Sequence, residues 1–136
     1  MEIIPNTELA YMAGYLDGDG CINFPNYENR YIGVRINITS GDKQVLDKFS
    51  SWFGNKVRKT GGGKNRQLYQ WSADGDRAQS ILACLLPFLV MKRELAGLAL
   101  SFTFDPYKDT TEEEKKLRLA CKERSHEINR RVTIGA

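Results

Sequence analysis

Apolar residues near the N-terminus are spaced as on one face of a helix, and an alternating pattern follows them. The helical spacing is that of Leu9, Met12, Ala13 and Leu16. We therefore predict a helix over residues 7–17, capped by Thr7, with Gly18 and Gly20 in left-handed backbone at its far end. Apolar and polar residues then alternate through residues 21–39, on either side of a short polar turn, as in a β-hairpin with one buried face.

The same order of elements is predicted again further along the chain. Residues 42–53 carry apolar side chains at helical spacing before Gly54, and residues 56–60 and 66–72 form two strands joined by a glycine-rich loop. Three more helices are predicted. The first covers residues 77–86, opened by a capping box of Asp76 and Gln79 and ended by Pro87, and the second covers residues 93–104. The last is an amphipathic helix with a solvated charged run, from a cap of Thr111 and Glu114 to about Arg131. Four strands joined as hairpins predict an α+β fold, in which helices cover one face of a four-stranded antiparallel sheet.

Length and composition fit one domain spanning residues 1–136, with 41% hydrophobic and 27% charged residues. No apolar run approaches the roughly 20 residues that cross a bilayer, and no basic apolar leader is visible, so we expect an intracellular protein of the cytoplasm or an organelle, without membrane contact. The three cysteines are far apart and indicate neither disulfides nor a zinc site, so we expect them to be reduced and partly buried. His126 is the one histidine, which leaves carboxylates and lysines for any chemistry.

The outer face of the predicted sheet is basic and rich in amide and aromatic side chains. Between Asn55 and Ser72 there are five lysines and arginines and no acid, although the whole chain has a formal net charge of only +3. Arginine pairs with guanine, asparagine and glutamine pair with adenine, and lysine neutralises phosphate. The alternative is a hydrated surface without a ligand. We predict double-stranded DNA as the partner, contacted by Asn23, Tyr27, Arg30, Tyr31, Arg35, Asn37, Arg58, Thr60, Lys64, Arg66 and Gln70.

The first predicted helix ends in two acids, Asp17 and Asp19, where the helix dipole disfavours each negative charge by up to about 1 kcal/mol. A divalent cation resolves the conflict, and Mg²⁺ prefers the carboxylate and carbonyl oxygens present there. Gly14 and Gly18 lie four residues apart beside Ala13 and would let two copies of the helix cross closely. We therefore predict a homodimer in which these residues, with Asp17, form the interface and the two Asp19 side chains meet around metal suited to phosphodiester hydrolysis.

Residues 12–20, MAGYLDGDG, resemble the nonapeptide motif of the LAGLIDADG homing endonucleases, with Met12 at the first leucine and Gly18 at the alanine. The predicted order of elements also resembles the αββαββα core of that family. Residues 85–100 are similar to its late segment of a Pro-Phe-Leu turn, a lysine and a helix. The likeness covers about residues 7–104, and residues 94–102 do not form a second motif because they lack its acids. Family members with one motif act as homodimers.

The resemblance implies a role for each matching residue. Asp19 would be the metal ligand, together with the carbonyl of Gly18; the ion would be Mg²⁺, although Mn²⁺ or Ca²⁺ could occupy the site, and no small-molecule cofactor is implied. Lys92 matches the active-site lysine, expected to organise water or stabilise negative charge. Lys43 is a candidate second basic group. Ser40 ends the second strand of the core, where related enzymes hold a larger polar residue that organises water.

The leading hypothesis is an intron- or intein-associated homing endonuclease that cuts a long, roughly palindromic DNA site. An RNA maturase or a non-cleaving DNA-binding regulator of the same fold is the alternative, and Ser40 is the residue that favours it. A basic domain with an isolated calcium loop is a third interpretation, which lacks the distal glutamate that such a loop needs.

Overall fold

The computed structural model describes residues 3–27, 31–61, 66–101 and 112–135. Its helices are α1 (Asn6–Asp19), α2 (Lys43–Phe53), α3 (Gly75–Leu85), α4 (Arg93–Leu100) and α5 (Glu112–Gly135), with a short 3-10 turn at Leu86–Phe88. Its strands are β1 (Gly20–Asn23), β2 (Asn26–Tyr27), β3 (Tyr31–Ile32), β4 (Arg35–Ser40), β5 (Arg58–Thr60) and β6 (Leu68–Asp74). The order of elements is the predicted one, except that the first hairpin is divided in two.

Strands β1, β4, β6 and β5 lie in that order in one antiparallel sheet, and β2 and β3 form a separate two-stranded sheet. Residues that face one another across the large sheet share a side of it, and one side is apolar and packed under the helices. The residues on the packed side are Ile22, Ile36, Ile38, Trp71 and Ala73, none more than 1% exposed. The predicted α+β fold, with a four-stranded antiparallel sheet, is confirmed.

The first hairpin bends where the two sheets meet. Pro25 has no N–H to donate across the ladder, and its carbonyl accepts a hydrogen bond from Gly33 N at 2.8 Å. Between β3 and β4, the carbonyl of Val34 accepts from Gly75 N at 2.9 Å, so it is bonded to the start of α3. The prediction of two continuous strands is therefore wrong at this point.

Helix α1 is longer than predicted and has different ends. The carbonyl of Pro5 accepts from the backbone N–H groups of Glu8 and Leu9, both at 3.0 Å, and no side chain caps the helix, so the predicted cap at Thr7 is wrong. At the other end, Gly20 is extended (φ −95°, ψ 173°) and not left-handed. Glycine is required there by close packing, because a Cβ would collide with the side chain of Leu16.

Helix α2 follows its prediction closely. The Asp42 side chain accepts from Gln44 N at 2.9 Å as an N-cap, and Gly54 ends the helix with φ +82°. The capping box predicted for α3 is wrong, because Gln79 donates instead to the carbonyl of Ala99 at 2.8 Å and thereby joins α3 to α4. The predicted end of α4 beyond residue 101 and the predicted cap at Thr111 lie outside the described residues.

Helix α5 was predicted to be amphipathic with its charged run solvated, and one face of it is buried at Arg118, Cys121 and Ile128. Arg118 is 4% exposed and donates from Nη1 to the carbonyl of Ile32 at 3.2 Å. Lys122 donates to the carbonyl of Phe24 at 2.7 Å. These bonds attach α5 to both strands of the first hairpin at its bend. Elsewhere on α5, Arg124 donates hydrogen bonds to Glu94 and Glu127, and these bonds raise the pKa of Arg124.

All three cysteines are free, but only Cys121 is buried, whereas Cys21 and Cys84 are exposed. The expectation of partial burial is therefore wrong for these two, since Cys21 lies on the open face of the sheet and Cys84 on the outer face of α3. None of the helices in the described ranges has the length and apolar character needed to span a membrane.

Candidate active site and nucleic-acid interface

The carboxylate of Asp17 is bonded inside the chain. The residue is 8% exposed, and its Oδ2 accepts from Val90 N at 2.8 Å while its Oδ1 accepts from Lys92 N at 2.9 Å. These bonds fasten the loop before α4 to the C-terminal end of α1. Asp17 therefore serves the fold of its own chain, and its predicted place in a dimer interface does not fit this burial.

Lys92 binds the same residue a second time through its side chain. Its Nζ donates to the backbone carbonyl of Asp17 at 2.7 Å, and the residue is 9% exposed. The ammonium thus lies at the C-terminal end of α1, where a positive charge complements the helix dipole. The structure brings Lys92 to the helix end that carries Asp19, from 73 positions further along the chain.

Asp19 is the last residue of α1 and is exposed. Within the described part of the chain, its carboxylate has no hydrogen-bond or ion-pair partner. Gly18, also exposed, contributes a carbonyl of the last helical turn, where the helix offers no further N–H groups. No group of three or more His, Cys, Asp or Glu side chains that could hold a metal is found among the residues that the structure describes. The oxygen donors at this end have the hard character that Mg²⁺ prefers.

Ser40 and Lys43 differ in their relation to this helix end. The Tyr15 hydroxyl donates to Ser40 Oγ at 2.7 Å, and Ser40 Oγ also accepts from Asp42 N at 3.0 Å, so Ser40 is attached to α1. Lys43 is exposed and binds both carboxylate oxygens of Asp47, at 3.0 and 3.1 Å, one turn along α2. This geometry gives no support to the predicted catalytic role of Lys43, because its ammonium is directed along its own helix.

One side of α1 is open. Ala10, Tyr11, Gly14 and Gly18 are exposed, whereas Ala13 is completely buried against the core. A Cβ built on Gly14 or Gly18 would have no atom within 4 Å. The predicted interface residues therefore divide: the two glycines lie on the open side, and Ala13 cannot contact a second molecule because the chain's own core covers it.

The outer side of the large sheet is polar, as predicted. Asn23, Arg35, Asn37, Thr60 and Gln70 are partly exposed, and Arg58 and Arg66 are exposed. Two hydrogen bonds join side chains of β4 and β6 on this side. Gln70 Nε2 donates to Asn37 Oδ1 at 2.9 Å, and Arg35 Nε donates to Asp74 Oδ1 at 2.6 Å. Candidate reading groups on adjacent strands are thereby held together before any ligand is bound.

For four of the predicted DNA contacts, the structure does not describe the side chain. Arg30 and Lys64 lie outside the described residues. Tyr27 and Tyr31 are placed by their backbone, paired across β2 and β3.

Sequence reasoning missed two residues of the site. Tyr15 occupies an aliphatic position of the motif, and its hydroxyl is the group that binds Ser40. The signal in the sequence was the presence of a hydroxyl-bearing tyrosine at a position that is aliphatic in the motif. Asp74 ends β6 and binds Arg35, which no local pattern reveals because the two residues are 39 positions apart.

Three solved structures show what this chain is similar to in three dimensions. The homing endonuclease I-CvuI in complex with its target matches with a TM-score of 0.68 at 23% sequence identity, over 90% of this chain and 82% of that one. The archaeal intron-encoded homing endonuclease I-Vdi141I, complexed with DNA, matches with a TM-score of 0.62 at 13% identity, over 90% and 84%. The LAGLIDADG meganuclease I-AabMI, bound to uncleaved DNA, matches with a TM-score of 0.59 at 18% identity, over 84% of this chain and 43% of that one.

By sequence, no protein-family model and no curated protein matches the chain. The identities to the solved structures are low, so the likeness is one of fold, and the motif residues occupy the helix α1 that carries the open face and Asp19. The chain has the fold of the LAGLIDADG homing endonucleases, with a single motif helix.

Proposed function

We propose that this chain is one subunit of a homodimeric, metal-dependent endonuclease that cuts double-stranded DNA at a long, roughly palindromic site. The observation that carries the proposal is the difference in environment between the two acids of the motif. Asp17 is buried and accepts two backbone hydrogen bonds, whereas Asp19 is exposed and has no partner in the described part of the chain. An acid at a helix C-terminus without a partner is unfavourable, so its presence favours a ligand that the chain alone does not supply.

A divalent metal ion is the ligand that fits Asp19. The carboxylate of Asp19 and the carbonyl of Gly18 would hold it, with the same residues of a second copy, and it would stabilise the charge that develops on the phosphate. The solved structures of I-CvuI were obtained in the presence of Ca or Mg. We propose Mg²⁺ as the working ion, and Mn²⁺ or Ca²⁺ as ions that the same oxygen donors accept.

The open side of α1 supports a homodimer. Glycine inside a helix costs about 1 kcal/mol relative to alanine, and neither Gly14 nor Gly18 is required by packing within this chain, since a Cβ at either position meets nothing. A second copy of α1 crossing at these glycines explains both and brings the two Asp19 residues together. The exposed ring of Tyr11 lies on the same helix and would be covered in this arrangement.

The outer side of the sheet is the proposed DNA surface. It presents amide, hydroxyl and guanidinium groups on four twisted strands, which suit base edges and phosphates. I-CvuI, I-Vdi141I and I-AabMI were all solved with DNA. In a symmetric dimer, each sheet would read one half of the site.

Lys92 would act on the phosphate at the end of α1. Its ammonium is already held by the carbonyl of Asp17, so it is oriented without cost at the moment of reaction. Ser40, whose hydroxyl accepts a hydrogen bond from Tyr15 of the motif helix, is proposed to help order water there.

The test compares two substitutions of acids with the unchanged protein. Purified protein is incubated with a library of long duplex sites and Mg²⁺, and double-strand cuts are sequenced. We expect cuts with the unchanged protein and with Asp76→Asn, an exposed acid of α3, and no cuts with Asp19→Asn, which should still bind the duplex. Cleavage that persists in Asp19→Asn would contradict the proposed chemistry.

A second candidate is an RNA maturase or a non-cleaving DNA-binding regulator. Ser40 favours it, because its short side chain is already bonded to Tyr15 and to Asp42 N. Binding of intron RNA or DNA by the unchanged protein, with no cuts at any Mg²⁺ concentration, would promote it. For either candidate we propose an intron- or intein-encoded protein acting inside the cell, and an open reading frame within an intron would supply the flanking junction as a first target.

A further inference from the structure

The outer face of the sheet carries one acid among the strand residues that the structure describes. Asp74 ends β6, and its side chain is 53% exposed. A carboxylate on a surface that binds phosphates repels them, so the proposed function makes this residue unexpected. It therefore requires an explanation beyond the general polarity of the face.

The carboxylate of Asp74 is aimed at a predicted DNA-reading residue. Arg35 and Asp74 are paired across β4 and β6, and Arg35 Nε donates to Asp74 Oδ1 at 2.6 Å. The two side chains are 38% and 53% exposed. An ion pair so accessible to water adds little to stability, so the pairing of Asp74 with Arg35 contributes little to folding.

The position of Asp74 offers a more stabilising use that the side chain does not take. Asp74 is the residue before α3, and aspartate is among the preferred N-caps of helices. Its side chain makes no capping hydrogen bond. By contrast, Asp42 at the same position of α2 caps its helix through Gln44 N. The carboxylate of Asp74 is thus turned from its helix toward Arg35.

We propose that Asp74 is a positioning residue that holds the Arg35 guanidinium for one guanine in each half-site. The proposal rests on the proposed function, since it assigns a specificity role within that DNA surface. An unrestrained arginine on a basic face would bind phosphates and any base acceptor, because its long side chain has many rotamers. With Nε on Asp74, an end-on approach of the guanidinium to guanine O6 and N7 leaves the ion pair intact.

This role has consequences of opposite sign for affinity and for specificity. Removing Asp74 removes a negative charge from the DNA surface, so affinity for unrelated duplex should rise and become more dependent on salt. Discrimination at the base pair read by Arg35 should fall, because the guanidinium loses its orientation. A merely structural residue would lower both when removed.

The experiment measures binding preferences of the full chain on a random duplex library, with Ca²⁺ in place of Mg²⁺ to suppress cutting. The unchanged protein should prefer guanine at one position by about tenfold or more. Arg35→Ala should abolish that preference, and Asp74→Ala should reduce it at the same position to below about threefold while binding unrelated duplex more tightly. Asp76→Ala removes the same charge two residues away and should tighten unrelated binding without changing the preference.

Asp74→Asn provides a second measurement, because it keeps an acceptor for Arg35 Nε without the charge. This variant should fold as the unchanged protein does and lose part of the guanine preference at that position. It therefore tests the role of Asp74 if Asp74→Ala does not fold. A guanine preference that survives both changes, or a loss at a different position, would overturn this inference and leave the proposed function standing. No base preference in the unchanged protein would overturn both.

Discussion

Replacing Asp17 by alanine should destabilise the protein far more than replacing Asp19, two residues away. The Asp17 carboxylate is 8% exposed and accepts from Val90 N and Lys92 N at 2.8 and 2.9 Å. Its loss removes two charge-assisted hydrogen bonds and leaves two backbone donors unpaired in a mostly buried place. The Lys92 ammonium would also lose a neighbouring negative charge.

The magnitude follows from those two bonds. A hydrogen bond to a charged group contributes about 1.5–3 kcal/mol, and an unpaired buried donor costs about as much, so Asp17→Ala should lower the free energy of unfolding by about 3–5 kcal/mol. Asp19→Ala removes an exposed acid from a helix C-terminus and should raise the free energy of unfolding by less than about 1 kcal/mol. In a dimer, less repulsion between two Asp19 residues acts in the same direction.

Urea unfolding in metal-free buffer at constant protein concentration measures both changes. Asp17→Asn serves as the control. Its side-chain oxygen still accepts one hydrogen bond, so it should lower the free energy of unfolding by less than Asp17→Ala does. A loss below about 1 kcal/mol for Asp17→Ala, or a larger loss for Asp19→Ala, would refute the division of roles between the two acids.

Three other predictions concern the interface, the hairpin and the cysteines. Gly14→Leu should leave the chain folded, because the position is open within it, and yield a monomer by analytical ultracentrifugation; a stable dimer would contradict the helix-crossing interface. Lys122→Met should increase amide hydrogen exchange at β2 and β3, because α5 loses its bond to the carbonyl of Phe24, whereas Lys116→Met, on the exposed side of α5, should not. A thiol reagent should label two cysteines in the folded protein and the third only on unfolding, the fast pair being Cys21 and Cys84; rapid labelling of Cys121 would contradict its burial.

The elements that could be predicted from the sequence are those whose signal is local. Helix α2 has its apolar face and its terminal glycine within a dozen residues, and both were found where the pattern placed them. The arrangement of the four strands followed from alternating patterns and short connections. Trp71 could be assigned to the core because it shares a strand face with apolar residues.

The elements that could not be predicted depend on distant partners. The bonds of Arg118 and Lys122 to the first hairpin attach a charged run that was predicted to be solvated. Gln79, which reads as a capping residue, instead bonds α4, because a packed neighbour offered it an acceptor. At the site, the family resemblance made Asp19 and Lys92 candidates, but the bond from Tyr15 to Ser40 and the ion pair of Arg35 with Asp74 depend on how elements meet in space.

The attachment of α5 to the first hairpin also orders events during synthesis. Arg118 and Lys122 lie 86 and 98 positions beyond the carbonyls that they bind, so these bonds close the longest loops in the described hydrogen-bond network. Until α5 has been synthesised, the two strands of the first hairpin that leave the main sheet, β2 and β3, lack this support. A product that lacks α5 would therefore carry the motif helix without a fully supported hairpin.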